Sequence, residues 1–401
     1  MSSSSSKMTT ALQPFLPQEI LVEILSKLPA KSLVRFKCVS KFFCSLVVDH
    51  PFADLHRNWS LTLPSRMSIL IVYPILRRGT CPNWYYKINY SEENQGKLQA
   101  NRLHYFDDDD RFREVYMSSS LNGLICFCRN SNDDIAIHNL STRQHILLPA
   151  SCRSGSRMTN AIGLLGFDSV SRRYKVLKSV QFCTHPGPGQ GWRVSVTVKH
   201  WVFTLGVDES WREIHSSPYF HPYNCSNSYF DCASVYINGV IYSLNYLNNS
   251  LNKEGDRIVA FDFRVENFRA IPPPPSPLTT MRAGLVEADG QLALVNLNWD
   301  GDDPAMEIWI MEVEEKESMV WKKQYVIHFP IQLERWFKKT NFFFATNHAG
   351  EIAVLVMMGA CVSILFYNFR KQSWREFDIC GLPLPRPGPF TFMHFSLDNV
   401  F

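Results

Sequence analysis

Residues able to do covalent or metal chemistry are plentiful in this 401-residue chain, but their spacing does not assemble them. Twelve histidines are dispersed without a paired-His motif, and no Gly-x-Ser-x-Gly elbow marks a nucleophile. Of eleven cysteines only Cys126 and Cys128 stand close together, and no CxxC pair exists. Buried free thiols in a reducing compartment explain them better than a disulfide framework or a zinc site. Asp107 to Asp110 lacks the spaced further ligands of a calcium loop and reads as solvated carboxylates. His185 to Gly191 is glycine-rich but lacks the strand-to-helix setting and the Lys-Ser/Thr of a phosphate loop. No catalytic residue, metal or cofactor is expected. The chemistry that spacing does support is apolar recognition.

That recognition pattern begins near the N-terminus. Ile20, Leu21, Ile24, Leu25 and Leu28 recur at helical spacing, and so do Val39, Phe42, Phe43, Leu46 and Val47. Pro17 suits a first helical turn, where its missing N–H goes unused, and Glu19 follows where the helix dipole favours negative charge. Pro29 ends one helix and opens the next. About forty residues in three short helices cannot bury every apolar face, so some of Leu16, Ile20, Leu25, Leu33 and Val39 should stay exposed for a partner.

The motifs Leu16-Pro17, Glu19-Ile20, Ile24-Leu25, Leu28-Pro29, Ser32-Leu33, Arg35 to Lys41 and Pro51-Phe52 make this stretch resemble an F-box. Phe43 stands where many members carry Trp. The resemblance implies a module that binds the Skp-family adaptor of cullin-RING ubiquitin ligases. Its adaptor face would comprise Leu16, Pro17, Ile20, Leu25, Leu28, Pro29, Leu33 and Val39.

Charge agrees with a protein partner. The net charge is +4, and Lys27 to Arg57 contributes as much on its own through Lys27, Lys31, Arg35, Lys37, Lys41 and Arg57 against Asp49 and Asp54. A patch this local suits an acidic protein surface, while no basic stripe interleaved with aromatics suggests nucleic acid. The uncharged run Ile352 to Tyr367 is short for a membrane span, is interrupted by Gly359 and is rich in β-branched residues. Two buried strands joined at Gly359-Ala360-Cys361 are expected there, and no membrane association. No signal peptide is recognised, so the sequons at Asn58 and Asn89 should be unused and the protein should reside in cytoplasm, nucleus or both.

Beyond residue 66 the helical period gives way to short apolar runs between turn signals. A weak repeat organises them. Asn122-Gly123, Asn238-Gly239, Asp289-Gly290 and Ala349-Gly350 each precede an apolar strand, as hairpin turns with positive φ require. Asn139 to His145, Asp262 to Phe268 and Asn368 to Trp374 then keep a polar-to-aromatic spacing of six, which Leu205 to Trp211 and Phe106 to Phe112 repeat without the polar residue. Such four-stranded units must stack on neighbours to cover both faces, which points to a β-propeller of six blades with the recurrent aromatic packed between blades. Leu121 to Cys126, Asn139 to Arg143, Gly166 to Ser169 with Tyr174 to Val176, and Ile258 to Phe263 with Pro272-Pro273 make the region resemble the F-box-associated domain of a large plant family. His138 replaces the usual tryptophan there.

The expected organisation is α+β and multidomain: a disordered tail at 1–14, a three-helix F-box at 15–56, a linker at 57–65 and an all-β propeller at 66–401. The combination implies the non-catalytic substrate-recognition subunit of a Skp, cullin and F-box ubiquitin ligase. The rival readings are an adaptor-binding protein that delivers nothing for degradation, and a metal-dependent enzyme built on the propeller. Client contacts are expected in two long connections, Phe182 to Arg193 and Tyr219 to Asp231. The second offers Tyr219, Phe220, Tyr223, Asn224 and Tyr229, aromatic anchors beside a polar group.

Overall fold

The structure is a computed structural model. It describes residues 16–62, 67–74, 83–90, 96–106, 115–129, 134–150, 158–184, 195–215, 234–245, 257–275, 283–298, 305–313, 319–329, 341–347, 350–358, 361–383 and 394–399. The chain divides into two compact units, one helical and one built of strands.

The helical unit holds α1 (Gln18–Ser26), α2 (Ala30–Phe36), α3 (Lys41–Val48) and α4 (His50–Thr62). Pro17 and Pro29 are the N-caps of α1 and α2, with ψ of 144° in both. Their carbonyls accept the first helical bonds, from Leu21 at 3.1 Å and Leu33 at 3.2 Å. Ser40 caps α3 by accepting from the Phe43 amide. The fourth helix corrects two expectations: the unit has four helices, and residues 57–62 are helical where a linker was anticipated. The inward stripe of α4 is Phe52, His56 and Ser60, all buried, and two of the three are polar. His56 Nε2 donates to the Leu28 carbonyl at 2.8 Å, so its burial is compensated by a bond across the unit.

The first strands of the second unit are β1 (Met67–Pro74), β2 (Asn83–Asn89) and β3 (Gly96–Arg102). Four antiparallel meanders follow. They are β4 (Val115–Leu121), β5 (Leu124–Arg129), β6 (Ile135–Asn139) and β7 (His145–Leu147); β8 (Met158–Asp168), β9 (Arg173–Thr184), β10 (Ser195–Thr204) and β11 (Arg212–Ile214); β12 (Ser234–Ile237), β13 (Val240–Asn245), β14 (Arg257–Asp262) and β15 (Asn267–Ile271); and β16 (Ala283–Ala288), β17 (Gln291–Asn298), β18 (Ala305–Val313) and β19 (Met319–His328). The last strands, β20 (Asn341–Thr346), β21 (Glu351–Met358), β22 (Cys361–Asn368), β23 (Ser373–Cys380) and β24 (His394–Asn399), belong with the first three to one eight-stranded sheet.

That sheet divides at its one parallel pairing, β23 with β3 from Phe377↔Gly96 to Cys380↔Gln99. On one side lies the meander β20 to β23; on the other, β24 pairs with β1, Met67 opposite Asn399, and completes a four-stranded group with β1, β2 and β3. The described strands therefore form groups of four, and the last strand of the chain supplies the inner strand of the first group. These groups close on themselves: β24 lies against β4, β4 against β8, β8 against β13, β12 against β16, β16 against β20, and β20 against β24.

Apolar residues explain the closure. Each pair of neighbouring groups shares a buried cluster, such as Leu70, Val72 and Tyr85 with Ile125 and Phe127, or Leu164 and Leu177 with Val259 and Phe261. The circuit is completed where Ile69, Ile71 and Ile88 meet Leu355, Ile364 and Phe366. One sheet alone would leave an apolar face in water, and the ring removes that cost. Gly166 in β8 makes one interface possible, because a Cβ there would enter the Phe263 ring of the next group. The uncharged run from Ile352 forms β21 and β22, antiparallel strands that close with Met358 opposite Cys361. No helix among the described residues is long and apolar enough to cross a membrane.

Of the recurrent aromatics, Phe268 is buried in the cluster it shares with the neighbouring group, whereas the tryptophans are half-buried and each makes a hydrogen bond to another group. Trp211 Nε1 donates to the Pro149 carbonyl at 2.6 Å, Trp321 to Pro272 at 2.8 Å and Trp374 to His328 at 3.2 Å. In each case the acceptor lies at or just past the outer strand of the preceding group. The polar residue six positions earlier has a separate task. Asn139 Oδ1 accepts from the Ser141 and Thr142 amides, and Asp262 Oδ1 from the Arg264 and Val265 amides, which folds the turn before the outer strand.

Candidate protein-interaction site

The helical unit has a small interior. Leu25, Leu33 and Phe52 are buried, at 2%, 4% and 3% exposure, with Leu21, Leu28, Phe36, Phe43 and Leu46 packed around them. Phe43 therefore fills its place in the core as an aromatic, in tilted contact with Phe36 at 5.3 Å. Leu25 and Leu33 were expected on the outer face and are not there; Leu28 is half-buried. Motif membership alone does not separate a residue that holds the helices together from one that they present.

What the helices present is a second apolar stripe on α1. Ile20 and Ile24 stand one turn apart on it and are 45% and 48% exposed, while Leu21 and Leu25 turn inward; Leu16, just before the Pro17 cap, is 44% exposed as well. A helix this short can face the core with only one of two such stripes. Pro17 and Pro29 are also exposed, as is Val39 at 66%. Val34, Phe42 and Val48 join the exposed apolar residues and were missed from sequence, although Ile24 could have been found from its spacing to Leu16 and Ile20.

The charged surroundings divide in two. Glu23 pairs with Lys27 at 2.9 Å, a bond that holds its carboxyl below the ordinary range, and Asp54 pairs with Arg57 at 2.6 Å. Lys31, Arg35, Lys37 and Lys41 are exposed and have no carboxylate partner among the described residues. The unit thus combines unpartnered aliphatics with unneutralised positive charge, the anatomy of a surface complementary to an apolar, acidic protein face.

In the ring, Tyr219, Phe220, Tyr223, Asn224 and Tyr229 lie outside the described residues, as do Asp107 to Asp110 and His185 to Gly191. Phe182 was expected to start a loop, but β9 continues to Thr184 and Phe182 is buried in it. The turn ends of the two neighbouring groups are fixed by ion pairs. Lys175 Nζ reaches Asp168 at 3.2 Å and Glu266 at 2.9 Å, and Arg212 holds both oxygens of Glu266, at 2.6 and 2.9 Å. The Arg212 hydrogen bond is the main reason that the Glu266 carboxyl lies below its ordinary range, against burial. Cys126 and Cys128 are buried, and burial pushes the Cys126 thiol well up. No cluster of three or more His, Cys, Asp or Glu suited to a metal occurs among the described residues.

Comparison with known proteins agrees with both halves of this architecture. Residues 15–54 match the F-box domain, and residues 77–398 match the F-box associated beta propeller domain. An F-box/kelch-repeat protein of Arabidopsis thaliana is 28% identical over 80% of this chain and 71% of its own length. An F-box protein of the same plant is 28% identical over 92% of this chain and 90% of its own. With a four-helix unit that presents an unpartnered apolar stripe, a closed ring of four-stranded sheets, and matches that span both, the chain belongs to the F-box proteins that carry an F-box associated β-propeller domain.

Proposed function

We propose that this protein is the substrate-recognition subunit of a Skp, cullin and F-box ubiquitin ligase, with the helical unit binding the adaptor and the ring binding a protein client. The observation that carries the reading is that Ile20 and Ile24 are exposed on a helix whose opposite side already fills a core, with Leu16 exposed just ahead of it. Exposed aliphatics at that density are unfavourable unless a partner covers them. The free basic side chains of α2 and of the turn before α3 suit an acidic adaptor surface. The chain performs no transfer chemistry itself; it raises the effective concentration of client lysines near a ubiquitin thioester carried elsewhere in the assembly. This role places it in the cytoplasm, the nucleus or both.

Client recognition is assigned to one end of the ring. In the meander β8 to β11 the connections after β9 and after β11 leave the sheet at the same end, and both are long in sequence. The second contains Tyr219, Phe220, Tyr223, Asn224 and Tyr229. Proximity labelling in cells, with the proteasome inhibited, compares the intact chain with one that begins after residue 65. The proposal expects the adaptor to be labelled by the intact chain only, clients to be labelled by both, and ubiquitylated client to accumulate with the intact chain alone. Adaptor labelling that does not differ between the two chains would overturn it.

A further inference from the structure

Among the described residues of the helical unit, one serine has a hydroxyl that a phosphoryl-transfer enzyme could reach. Ser26 and Ser60 are fully buried, and Ser32 is half-buried inside α2. Ser45 is exposed, but its backbone is helical and its hydroxyl donates to the Phe42 carbonyl at 2.9 Å. Ser40 differs from all of these. It is exposed, its backbone is extended with φ −158° and ψ 162°, and it follows the turn that separates α2 from α3. Its Oγ accepts one long bond from the Phe43 amide, 3.3 Å, which leaves the hydroxyl proton and a second lone pair directed elsewhere. In-line transfer needs a hydroxyl held next to the donor phosphate by an enzyme that grips the chain on both sides, so an extended exposed residue qualifies where a helical one does not.

The surroundings add a second, independent feature. Arg35 and Lys37 lie five and three positions before Ser40, and Lys41 follows it. All three are exposed, and none has a carboxylate partner among the described residues. The same segment carries Val39, 66% exposed beside the hydroxyl. A reactive hydroxyl, an uncompensated positive field and part of the interaction surface thus share the seven residues from Arg35 to Lys41.

We propose that Ser40 is a phosphorylation site for a serine kinase that selects basic residues upstream, and that its phosphorylation weakens adaptor binding. The second half rests on the reading of this unit as the adaptor module. Ser40 Oγ attacks the γ-phosphorus of ATP; the bond to the β-phosphate oxygen breaks with its electron pair leaving on ADP, and the hydroxyl proton passes to the kinase base. The phosphate dianion then lies at the N-terminal end of α3, where amides, the helix dipole and Lys37 and Lys41 favour it, so the helix survives. The basic patch loses up to about two units of positive charge, and an acidic partner is attracted less.

The test uses the full chain, MgATP and a kinase directed to basic sequences, with phosphate positions mapped by peptide mass spectrometry and adaptor affinity measured by titration before and after. The expected result is phosphate on Ser40 and about a fivefold to tenfold rise in adaptor Kd, reversed by phosphatase. Ser40→Asn keeps a capping side chain and should bind adaptor as the unmodified protein does, with no response to the kinase. Phosphate on other serines with Ser40 bare would overturn the site, and phosphorylated Ser40 with unchanged affinity would overturn its effect. If the unmodified chain binds no adaptor, the adaptor reading and the affinity effect fall together, while the mapping still decides the site.

Discussion

On α1, Ile20 and Ile24 stand exposed one turn apart, with Leu16 exposed just before the helix, whereas on β1 and β21 Ile69, Ile71, Ile352 and Val354 are wholly buried. The residues are alike and the difference is geometric. Four short helices have too little interior for two stripes on one helix, so one is left outside. Four-stranded sheets also have two apolar faces each, but in a ring every face meets a neighbour, and nothing comparable is left over at the shared clusters. A residue of the shared clusters therefore reports on stability, while the exposed pair on α1 belongs to the surface proposed for a partner.

The largest expected effect breaks the ring and spares the helices. Removing residues 394–401 takes away β24, which pairs with β1 and lies against both β4 and β20. We expect a loss of ~5 kcal/mol or more in ring stability, seen as a lower and broader thermal transition, with adaptor binding retained. Unchanged melting of the truncated ring would show that closure does not depend on its final strand.

Leu33→Asp should do the reverse. It puts an unpaired carboxylate into the helical core at a cost of about 3 to 5 kcal/mol, so the helices unfold, adaptor binding disappears and ring melting is unaltered. Amide exchange separates this from a surface effect: protection in α1 to α4 should vanish in Leu33→Asp and persist in Ile20→Asp.

Smaller effects are expected at the seams of the ring. Trp211→Ala and Trp374→Ala should each cost about 2 kcal/mol, less than a fully buried tryptophan, because both rings are half-buried and each also gives up a hydrogen bond to a neighbouring group. Trp374→Phe should recover roughly half of that loss. Melting temperatures that do not move in either alanine variant would place these rings outside the interface energetics.

The smallest effect is a pH dependence confined to the ring. Arg212 holds the Glu266 carboxyl low, and at Asp168 hydrogen bonds from Ser171 and nearby amides, with Lys175, outweigh the upward push of burial. A carboxylate lower in the folded than in the unfolded state adds stability that is complete above the unfolded value of about 4 and is lost as pH falls through the folded value. Ring melting should therefore drop as pH falls below about 5, and drop less in Glu266→Gln. The helical pairs Glu23–Lys27 and Arg57–Asp54 lie near solvent and should contribute little over the same range.

Much of this could be read from sequence, and the gaps have physical causes. The hairpin turns were legible because positive φ selects their residues: Asn122 and Gly123 have φ of 51° and 76°, Asn238 and Gly239 48° and 91°. The helix α4 was not, since two of its inward residues are His56 and Ser60 and hydropathy does not mark them. The spacing from Asn368 to Trp374 was visible, but its two parts do different work, Asn368 accepting from the Lys371 amide to fold a turn and Trp374 bonding to another group. Gly166 is a motif residue whose reason lies in Phe263, remote in sequence. Leu25 and Leu33 were misplaced because a motif records what a fold needs without saying which side of the helix needs it.

The most direct measurement is titration of a purified Skp-family adaptor into the intact chain and into the double variant Leu16→Asp, Ile20→Asp, with helix content followed by circular dichroism. The intact chain should bind with micromolar or tighter Kd, and the double variant should lose ~100-fold or more while keeping its helices, since two carboxylates would have to be desolvated at the interface. Equal binding by the two proteins, or none by the intact chain, would contradict the assignment of the exposed α1 stripe as the adaptor contact.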